Sequence, residues 1–316
     1  MSRPRLVQGG TERMSTKRAL PASSSVVAKH PEWVRARMPG LAEFNHTQKV
    51  LQSYQLNTVC EEAQCPNRSE CYAHRTATFM ILGNICTRRC SFCAVSQGTP
   101  PRPPDPDEPV RLARAVVELG LKHVVITSVD RDDLPDQGAG HFAECVRSIK
   151  AASPHTQVEL LIPDFRGDVN ALRVVLDAPI AVLGHNVETV PRLYAKIRRG
   201  ARYERSVQLL AAAKGLRPKV FTKTGIMLGL GETREEVLQV LSDLREAQVD
   251  ILTIGQYLQP TGAQVAVAEY VPPYEFDNWK KIARKIGFAH VEAGPLVRSS
   301  YHAWQQVRGL QRGKSE

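Results

Sequence analysis

The chain has 316 residues, 42% of them apolar, and can bury roughly three quarters of its unfolded surface, which excludes a small disulfide-stapled protein. No stretch approaches the ~20 apolar residues of a transmembrane helix, and the N-terminus lacks the apolar segment of a secretory signal. We therefore expect a soluble, intracellular protein with no membrane partner. The formal net charge of +10 favours acidic partners. Charge alone does not choose between nucleic acid and an acidic protein domain, although no zinc finger or RNA-binding signature favours nucleic acid.

The chain begins with a basic segment. Residues 1–28 are rich in Arg, Lys, Ser, Pro and Gly and show little apolar periodicity, so we predict a disordered arm. Residues 1–37 contain eight Lys/Arg and two Glu, a bias shared with mitochondrial and plastid transit peptides. A solvated bacterial tail is the simpler interpretation, and Met14 is a second candidate start. We expect a cytoplasmic location, with a mitochondrial or plastid location as the alternative.

Two cysteine triplets follow. The N-terminal extension, residues 29–76, carries the first triplet with x4 and x5 spacing, and a C-x3-C-x2-C triplet comes directly after the first predicted strand. Disulfides are typical of small secreted domains, so clustered thiols in a large chain without a signal peptide indicate metal ligands. The seventh cysteine, Cys145, stands apart. The triplets are Cys60, Cys65 and Cys71, then Cys86, Cys90 and Cys93.

Short β-rich apolar runs alternate with helical patterns from residue 77 onward. One helical pattern is Thr233–Ala247, where Thr233 and Glu236 predict a capping box. Alternating strands and helices predict a parallel sheet with right-handed crossovers, here a partial (β/α)6 barrel over residues 77–287 with N- and C-terminal extensions, the latter being residues 288–316. The six runs are Ala77–Asn84, His123–Val129, Val158–Pro163, Ile180–Val187, Val220–Leu228 and Ile251–Leu258.

A doubly wound dinucleotide fold is the main structural alternative. Gly229 and Gly231 resemble its glycine turn, but the third glycine is missing and the turn follows the fifth strand instead of the first. We therefore interpret this turn as local geometry.

The second triplet is one ligand short of a closed zinc site. A [4Fe–4S] cluster held by three cysteines instead leaves one iron open to a small molecule. With Phe92 before its last cysteine, the C-x3-C-x2-C spacing resembles the signature of the radical S-adenosylmethionine (SAM) enzymes. Chemistry at the C-terminal ends of barrel strands agrees with the position of this loop after the first strand.

The first triplet is also one ligand short, which predicts a second [4Fe–4S] cluster. The alternative is one site built from both triplets with spare thiols, but six thiolates exceed what one cubane needs.

Both triplets together resemble the lipoyl synthases, and further motifs carry the resemblance across residues ~57–303. Only the long basic N-terminal arm is unusual for that family. The matching stretches are residues 131–134, 161–167, 185–189, 223–231, 255–260 and the Arg-Ser-Ser-Tyr motif at 298–301.

The resemblance implies the chemistry. Ser300 would be the fourth ligand of an auxiliary cluster held by Cys60, Cys65 and Cys71. SAM would bind the open iron of the other cluster and yield a 5′-deoxyadenosyl radical, which abstracts hydrogen from an octanoyl chain. Sulfur from the auxiliary cluster would then be inserted at C6 and C8. Because a hydroxyl is a harder, weaker iron ligand than thiolate, Ser300 could be released during turnover.

Four residues are candidates for the SAM pocket. Phe92 lies inside the cysteine loop and is expected against the adenine. Asp130 follows the second strand, and Asn186 with Glu188 follows the fourth, where they could meet the ribose or the methionine group. Each of these polar residues could instead be a strand-end cap.

The resemblance also implies partners: octanoylated lipoyl domains of 2-oxoacid dehydrogenase complexes and the glycine cleavage H protein, an electron donor such as ferredoxin or flavodoxin, and an iron–sulfur carrier for cluster repair. Lipoyl domains are commonly acidic, which agrees with the charge of +10. Nucleic acid is not expected. The competing functions are other sulfur-inserting radical enzymes, such as biotin synthase or a tRNA methylthiotransferase, and a non-catalytic iron–sulfur electron carrier.

Overall fold

A computed structural model describes residues 30–35 and 40–312. The arm expected at residues 1–28 lies outside the described residues. Among the described helices, none combines the length and the apolar character needed to cross a bilayer.

The described residues form ten strands. They are β1 (Asn57–Thr58), β2 (Thr78–Ile81), β3 (Ile85–Cys86), β4 (Ser96–Gln97), β5 (His123–Ser128), β6 (Gln157–Leu161), β7 (Val182–Gly184), β8 (Phe221–Leu228), β9 (Ile251–Gln256) and β10 (His290–Gly294).

Eleven helices accompany them in the same part of the chain. They are α1 (Leu41–Ser53), α2 (Val59–Glu62), α3 (Arg68–Ala73), α4 (Glu108–Glu118), α5 (Ala139–Ala152), α6 (Val169–Leu176), α7 (Tyr194–Ile197), α8 (Tyr203–Leu216), α9 (Arg234–Glu246), α10 (Pro273–Ile286) and α11 (Ala303–Arg312).

The main sheet has eight strands in the order β1-β2-β5-β6-β7-β8-β9-β10. From β2 to β10 every neighbouring pair is parallel, whereas β1 pairs antiparallel with β2. Strands that are consecutive within this sheet are neighbours throughout, without the reversal of order that defines a doubly wound fold. The sheet is open, so the partial barrel predicted from the sequence is confirmed and the doubly wound alternative is wrong.

All six predicted strands form within a few residues of their apolar runs. Every residue of β2 and β9 is buried, as expected for parallel strands covered on both faces. Helix α9 begins with the predicted capping box. The Glu236 amide donates to the Thr233 hydroxyl and the Thr233 amide donates to the Glu236 carboxylate, at 3.3 and 2.8 Å.

Strand β10 joins the sheet beyond the boundary expected at residue 287, within the segment 288–316. This strand was not predicted, because Val291 is its one buried side chain and its apolar periodicity is therefore weak. Strand β1 is only two residues long and has even less signal. The sheet therefore extends into both of the expected extensions.

The glycine turn after β8 is local packing, as interpreted from the sequence. The Glu232 carboxylate accepts hydrogen bonds from the amides of Gly229 and Leu230, at 2.6 and 2.9 Å. A side chain at Gly229 would collide with the carbonyl of Glu269, so the turn requires glycine for close approach.

Candidate active site

One loop carries Cys86, Cys90 and Cys93, and it leaves the C-terminal end of β2. The β3–β4 pair closes this loop, with Cys86 opposite Gln97. The Cys93 amide donates to the Cys90 carbonyl at 3.3 Å, and the Gly98 amide donates to the Cys86 carbonyl at 2.9 Å. The three thiols are half-buried and free. We call this triplet the loop site.

Arg88, inside the loop, fastens it to the C-terminal ends of β5 and β6. Its side chain is 4% exposed and donates two hydrogen bonds of 2.9 Å to Asp132 and one of 2.6 Å to Asp164. Asp130 lies 3.4 Å from the same guanidinium. The Thr87 hydroxyl adds a 2.9 Å bond to the Asp130 carbonyl. Because a buried arginine is matched by carboxylates from two strand ends, the loop has a fixed position.

Asp130 lies directly beside the loop site. Its amide donates to the Cys86 sulfur at 3.4 Å, and its carboxylate accepts from the Cys86 thiol at 3.7 Å. Burial raises the pKa of the Asp130 carboxyl, although the guanidinium groups of Arg88 and Arg198 act in the opposite direction. The candidate Asp130 is therefore next to the cysteines.

Asn186 and Glu188 form a pair inside the barrel, where the Asn186 side-chain amide donates to the Glu188 carboxylate at 3.0 Å. Arg198 donates to the Asn186 carbonyl at 2.7 Å. Burial raises the pKa of Glu188, and Arg198 opposes this effect. Arg198 lowers and Glu188 raises the pKa of the Cys90 thiol, so the pair lies within electrostatic range of the loop site.

Phe92 is half-buried and packs against the apolar cluster that contains Val187 and Ile197. The amide of Ser91 donates to the Ile197 carbonyl at 3.0 Å, which joins this part of the loop to α7. The ring therefore faces the segment that follows β7, which also contains Asn186 and Glu188.

The other triplet lies on α2, α3 and the turn between them. Cys60 is buried on α2, Cys71 is on α3, and the Cys65 amide donates to the Cys60 carbonyl at 3.1 Å. The three cysteines line a cavity of about 330 Å³ together with Arg298 and Ser300. We call Cys60, Cys65, Cys71 and Ser300 the extension site.

Contacts between distant parts of the chain bring Ser300 to this cavity. The Thr78 hydroxyl donates to the Ser300 hydroxyl at 2.6 Å. Asn67 donates to the Leu296 carbonyl at 2.6 Å, and the Tyr301 hydroxyl donates to Glu70 at 3.0 Å. The C-terminal segment is thus bound to the N-terminal extension on both sides of Ser300.

The two sites lie at opposite ends of β2. Thr78, beside Ser300, is the first residue of that strand, whereas the loop site follows its last residue. Four strand residues correspond to a rise of roughly 13 Å. The loop site lies at the C-terminal ends of the strands, where chemistry was expected from the sequence. The extension site lies at the N-terminal end of β2.

Desolvation raises the pKa of cysteine thiols at both sites. Burial is the largest cause that raises the pKa of Cys60, Cys71, Cys86 and Cys90 to about 12, and that of Cys93 to about 11. At neutral pH such groups become thiolates only beside a strong positive charge, which a bound metal centre supplies. The donor set therefore fits iron.

No three His, Cys, Asp or Glu side chains within residues 30–35 and 40–312 surround a position for a single metal ion. In a [4Fe–4S] cubane each thiolate binds a different iron, so its ligands are spread more widely.

Three arginines at these sites were not among the predicted residues. Arg88 lies between Cys86 and Cys90, and Arg298 begins the Arg-Ser-Ser-Tyr motif, so their positions within these motifs could have indicated a place at the sites. Arg198 follows the short helix α7 and carries no such signal. Arg298 is half-buried between the two sites, where desolvation lowers its pKa and the neighbouring Cys65 and Glu188 act in the opposite direction.

The sequence patterns also did not predict a buried ionic group formed by Lys223, Glu159 and His123. Lys223 lies 2.7 Å from one oxygen of Glu159, and His123 lies 3.1 Å from the other. Lys223 and Glu159 are almost completely buried, and His123 lines the cavity of the extension site.

Comparison with known proteins agrees with this geometry. Residues 80–244 match the family model of the radical SAM superfamily. The chain is 54% identical over 283 residues to a lipoyl synthase from Histophilus somni (strain 2336), covering 89% of this chain and 88% of that protein. A lipoyl synthase from Pasteurella multocida (strain Pm70) is 53% identical with the same coverage.

Among solved structures, Streptococcus suis SuiB bound to its precursor peptide SuiA is similar in fold, with a TM-score of 0.52 and 12% identity over 72% of this chain and 52% of that one. The sequence matches extend over nearly the whole described chain, including both cysteine triplets, and are far above the level at which only the fold is shared. The chain therefore belongs to the lipoyl synthase family of radical SAM enzymes.

Proposed function

We propose that this radical SAM enzyme inserts two sulfur atoms, at C6 and C8, into an octanoyl chain attached to a lysine of a lipoyl carrier domain. Family membership supports the reaction class. The observation that carries the proposal is the pair of cysteine triplets at opposite ends of β2, each one ligand short, with Ser300 beside the triplet of the extension site.

We assign a [4Fe–4S] cluster to the loop site, with Cys86, Cys90 and Cys93 as ligands and one iron open to SAM. When bound, this cluster supplies the electron that cleaves SAM and so starts hydrogen abstraction from the octanoyl chain. Phe92, Asp130, Asn186 and Glu188 are the proposed SAM-binding residues. Their role is to orient the cofactor and exclude water beside the cysteines, while Arg88 keeps the loop in place.

The sulfur donor is a second [4Fe–4S] cluster, a substrate in this proposal, held by Cys60, Cys65, Cys71 and Ser300. A serine hydroxyl is a harder and weaker iron ligand than thiolate. Thr78 is hydrogen-bonded to the Ser300 hydroxyl, so this hydroxyl has a partner when it is not bound to iron. Release of Ser300 therefore does not leave an unsatisfied buried polar group.

We propose that the octanoyl chain binds between the two sites. Burial of about six methylenes contributes roughly 5 kcal/mol, which corresponds to sub-millimolar binding before the cost of association. Additional affinity must come from docking of the carrier domain, and the net charge of +10 favours an acidic one. We propose lipoyl domains of 2-oxoacid dehydrogenase complexes and the glycine cleavage H protein as carriers.

The remaining assignments complete the proposal. We propose that ferredoxin or flavodoxin supplies electrons, that an iron–sulfur carrier rebuilds the second cluster, and that the enzyme acts in the cytoplasm, as the bacterial source of its relatives suggests. Residues 29–76 and 288–316 would act as extensions of a catalytic barrel at 77–287, because their contacts with each other build the extension site.

One experiment tests this function. The reconstituted chain is incubated anaerobically with SAM, a reductant and an octanoylated lysine peptide, and the products are identified by mass spectrometry. We expect 5′-deoxyadenosine and a peptide that has gained two sulfurs, from a protein with about eight irons per chain. About four irons per correctly folded, fully reconstituted chain would contradict the two-cluster assignment.

A further inference from the structure

Two adjacent serines of the C-terminal segment face different sites. Ser300 accepts its hydrogen bond from Thr78 at the extension site, whereas the hydroxyl of Ser299 donates to the side-chain oxygen of Asn186 at 2.9 Å. Asn186 in turn donates through its amide nitrogen to Glu188. A continuous chain of hydrogen bonds therefore connects the segment that carries Ser300 to the proposed SAM pocket.

The inner face of the barrel is shaped to admit this segment. A methyl group at Gly225 on β8 would lie 2.9 Å from the Ser299 hydroxyl and 3.0 Å from the Asn186 oxygen. It would also lie 2.8 Å from the hydroxyl of Thr253 on the neighbouring strand β9. A methyl group at Gly255 on the neighbouring strand β9 would collide with the carbonyl of Val297. Neither glycine has a positive φ, so close approach is the physical reason for glycine at both positions: of the segment at Gly255, and of the segment together with Thr253 at Gly225.

Glu188 selects the orientation of the Asn186 amide, and the Ser299 bond holds it there. A carboxamide has one accepting and one donating end, and Glu188 requires the donating end. A hydroxyl donor at the other end stabilises that orientation. Without it, the Asn186 oxygen would lose the donor that the described structure provides, and the amide could rotate away from Glu188.

We propose that Ser299 is a positioning residue of the SAM site: it orients Asn186, and through Asn186 the carboxylate of Glu188, for binding of the cofactor. This inference rests on the proposed function, because it takes Asn186 and Glu188 to contact SAM. The same short segment would then supply a ligand to one site and complete the other, so that both sites are assembled together when the C-terminal segment docks.

The test is equilibrium binding of SAM to the anaerobically reconstituted enzyme, measured together with iron content. Ser299→Ala removes the hydroxyl. Gly225→Ala disturbs the same hydrogen bond from the strand side, without changing any of the three bonded residues. The matched control is Gly215→Ala on α8, where an added methyl group meets nothing within 4 Å.

We expect SAM binding about five-fold weaker in Ser299→Ala and in Gly225→Ala, the effect of one hydrogen bond, with unchanged iron content and an unchanged constant in Gly215→Ala. The KM for SAM should rise while the rate of 5′-deoxyadenosine formation at saturating SAM stays near that of the unmodified enzyme. A general structural defect would instead lower iron content and that rate together.

Equal SAM affinity in Ser299→Ala and the unmodified enzyme would overturn the inference, even if Gly225→Ala failed to fold. If the unmodified enzyme neither bound nor cleaved SAM, the proposed function itself would be wrong. The two failures are therefore distinguishable.

Discussion

The loop site and the extension site are held in place by different kinds of contact. At the loop site, a guanidinium that is 4% exposed bonds to carboxylates at the ends of two strands. At the extension site, the cysteines lie on two short helices and the turn between them, and single hydrogen bonds connect the neighbouring residues Asn67, Glu70 and Thr78 to residues more than 220 positions away.

This difference matches the different tasks proposed for the two sites. Breaking a buried ion pair costs about 3–5 kcal/mol, whereas an ordinary hydrogen bond contributes about 1 kcal/mol. The loop site must survive many turnovers unchanged. The extension site, in our proposal, gives up sulfur and is rebuilt, and weak contacts allow it to open.

The largest expected difference between the two sites comes from removing one cysteine from each. We expect Cys90→Ala to abolish 5′-deoxyadenosine formation, and Cys65→Ala to retain some SAM cleavage without sulfur insertion. The reason is that, in our proposal, only the cluster of the loop site leaves an iron open to SAM. Chromatographic assay of 5′-deoxyadenosine and mass spectrometry of the peptide measure the two steps. Cleavage at the unmodified rate in Cys90→Ala would show that the sites have been assigned the wrong way round.

Removal of the charged anchor tests the rigidity of the loop site. Arg88→Gln leaves the carboxylate of Asp132 without its cation and that of Asp164 with Arg205 alone, at 3.2 Å, which should cost about 3 kcal/mol of stability. We expect iron to be lost from the loop site and kept at the extension site, and the thermal midpoint to fall. The control is Arg89→Gln, which changes the exposed neighbouring arginine in the same loop. If both variants retained the same iron content, Arg88 would not be an anchor.

A stronger ligand should make the extension site more like the loop site. In Ser300→Cys we expect normal iron content and on the order of ten-fold less lipoyl product per chain, because thiolate holds iron more firmly than a hydroxyl. The product is measured by mass spectrometry under anaerobic conditions. Product yield equal to that of the unmodified chain would rule out a releasable role for Ser300.

The smallest expected effect concerns the support of the loop-site side of the barrel. His185, next to Asn186, donates through Nδ1 to the Ile162 carbonyl and accepts through Nε2 from the Ser206 hydroxyl, at 2.8 and 2.9 Å. Complete burial lowers its pKa to about 3. As pH falls below about 6.5, the unfolded chain binds a proton that the folded chain does not, so stability decreases until pH about 3.

This effect is isolated by comparison with His185→Gln, which cannot titrate. Between pH 7.5 and 5.5, the unmodified chain should lose about 1 kcal/mol more stability than the variant. The thermal midpoints of both proteins, recorded at the same heating rate, provide the measurement. Parallel changes with pH in both proteins would contradict the buried, neutral state of His185.

Local patterns in the sequence were enough to predict most of the barrel. Apolar runs such as Ile251–Leu258 predicted buried parallel strands, and the Thr233–Glu236 pair predicted the start of α9. These signals work because each depends on residues a few positions apart. Strand β10 was missed because pairing with β9, and not its own apolar content, makes it a strand.

The ligand and pocket residues remain predictions, although the structure brings each group together. Cysteine spacing alone indicated two incomplete metal sites, and family resemblance alone selected Ser300. Nothing in the sequence pattern indicated that Arg88 would be buried, because arginine is usually exposed and its partners here come from the ends of two other strands.

The sequence by itself determined the barrel, the two triplets and the family, since these depend on local periodicity, spacing and motif identity. Only the tertiary structure decided that the triplets lie at opposite ends of β2, and that adjacent serines face different sites. Those relations depend on contacts such as Thr78 with Ser300 and Ser299 with Asn186, which join residues far apart in the chain. Such pairings follow from the packing of the C-terminal segment against the whole sheet, and no local pattern encodes them.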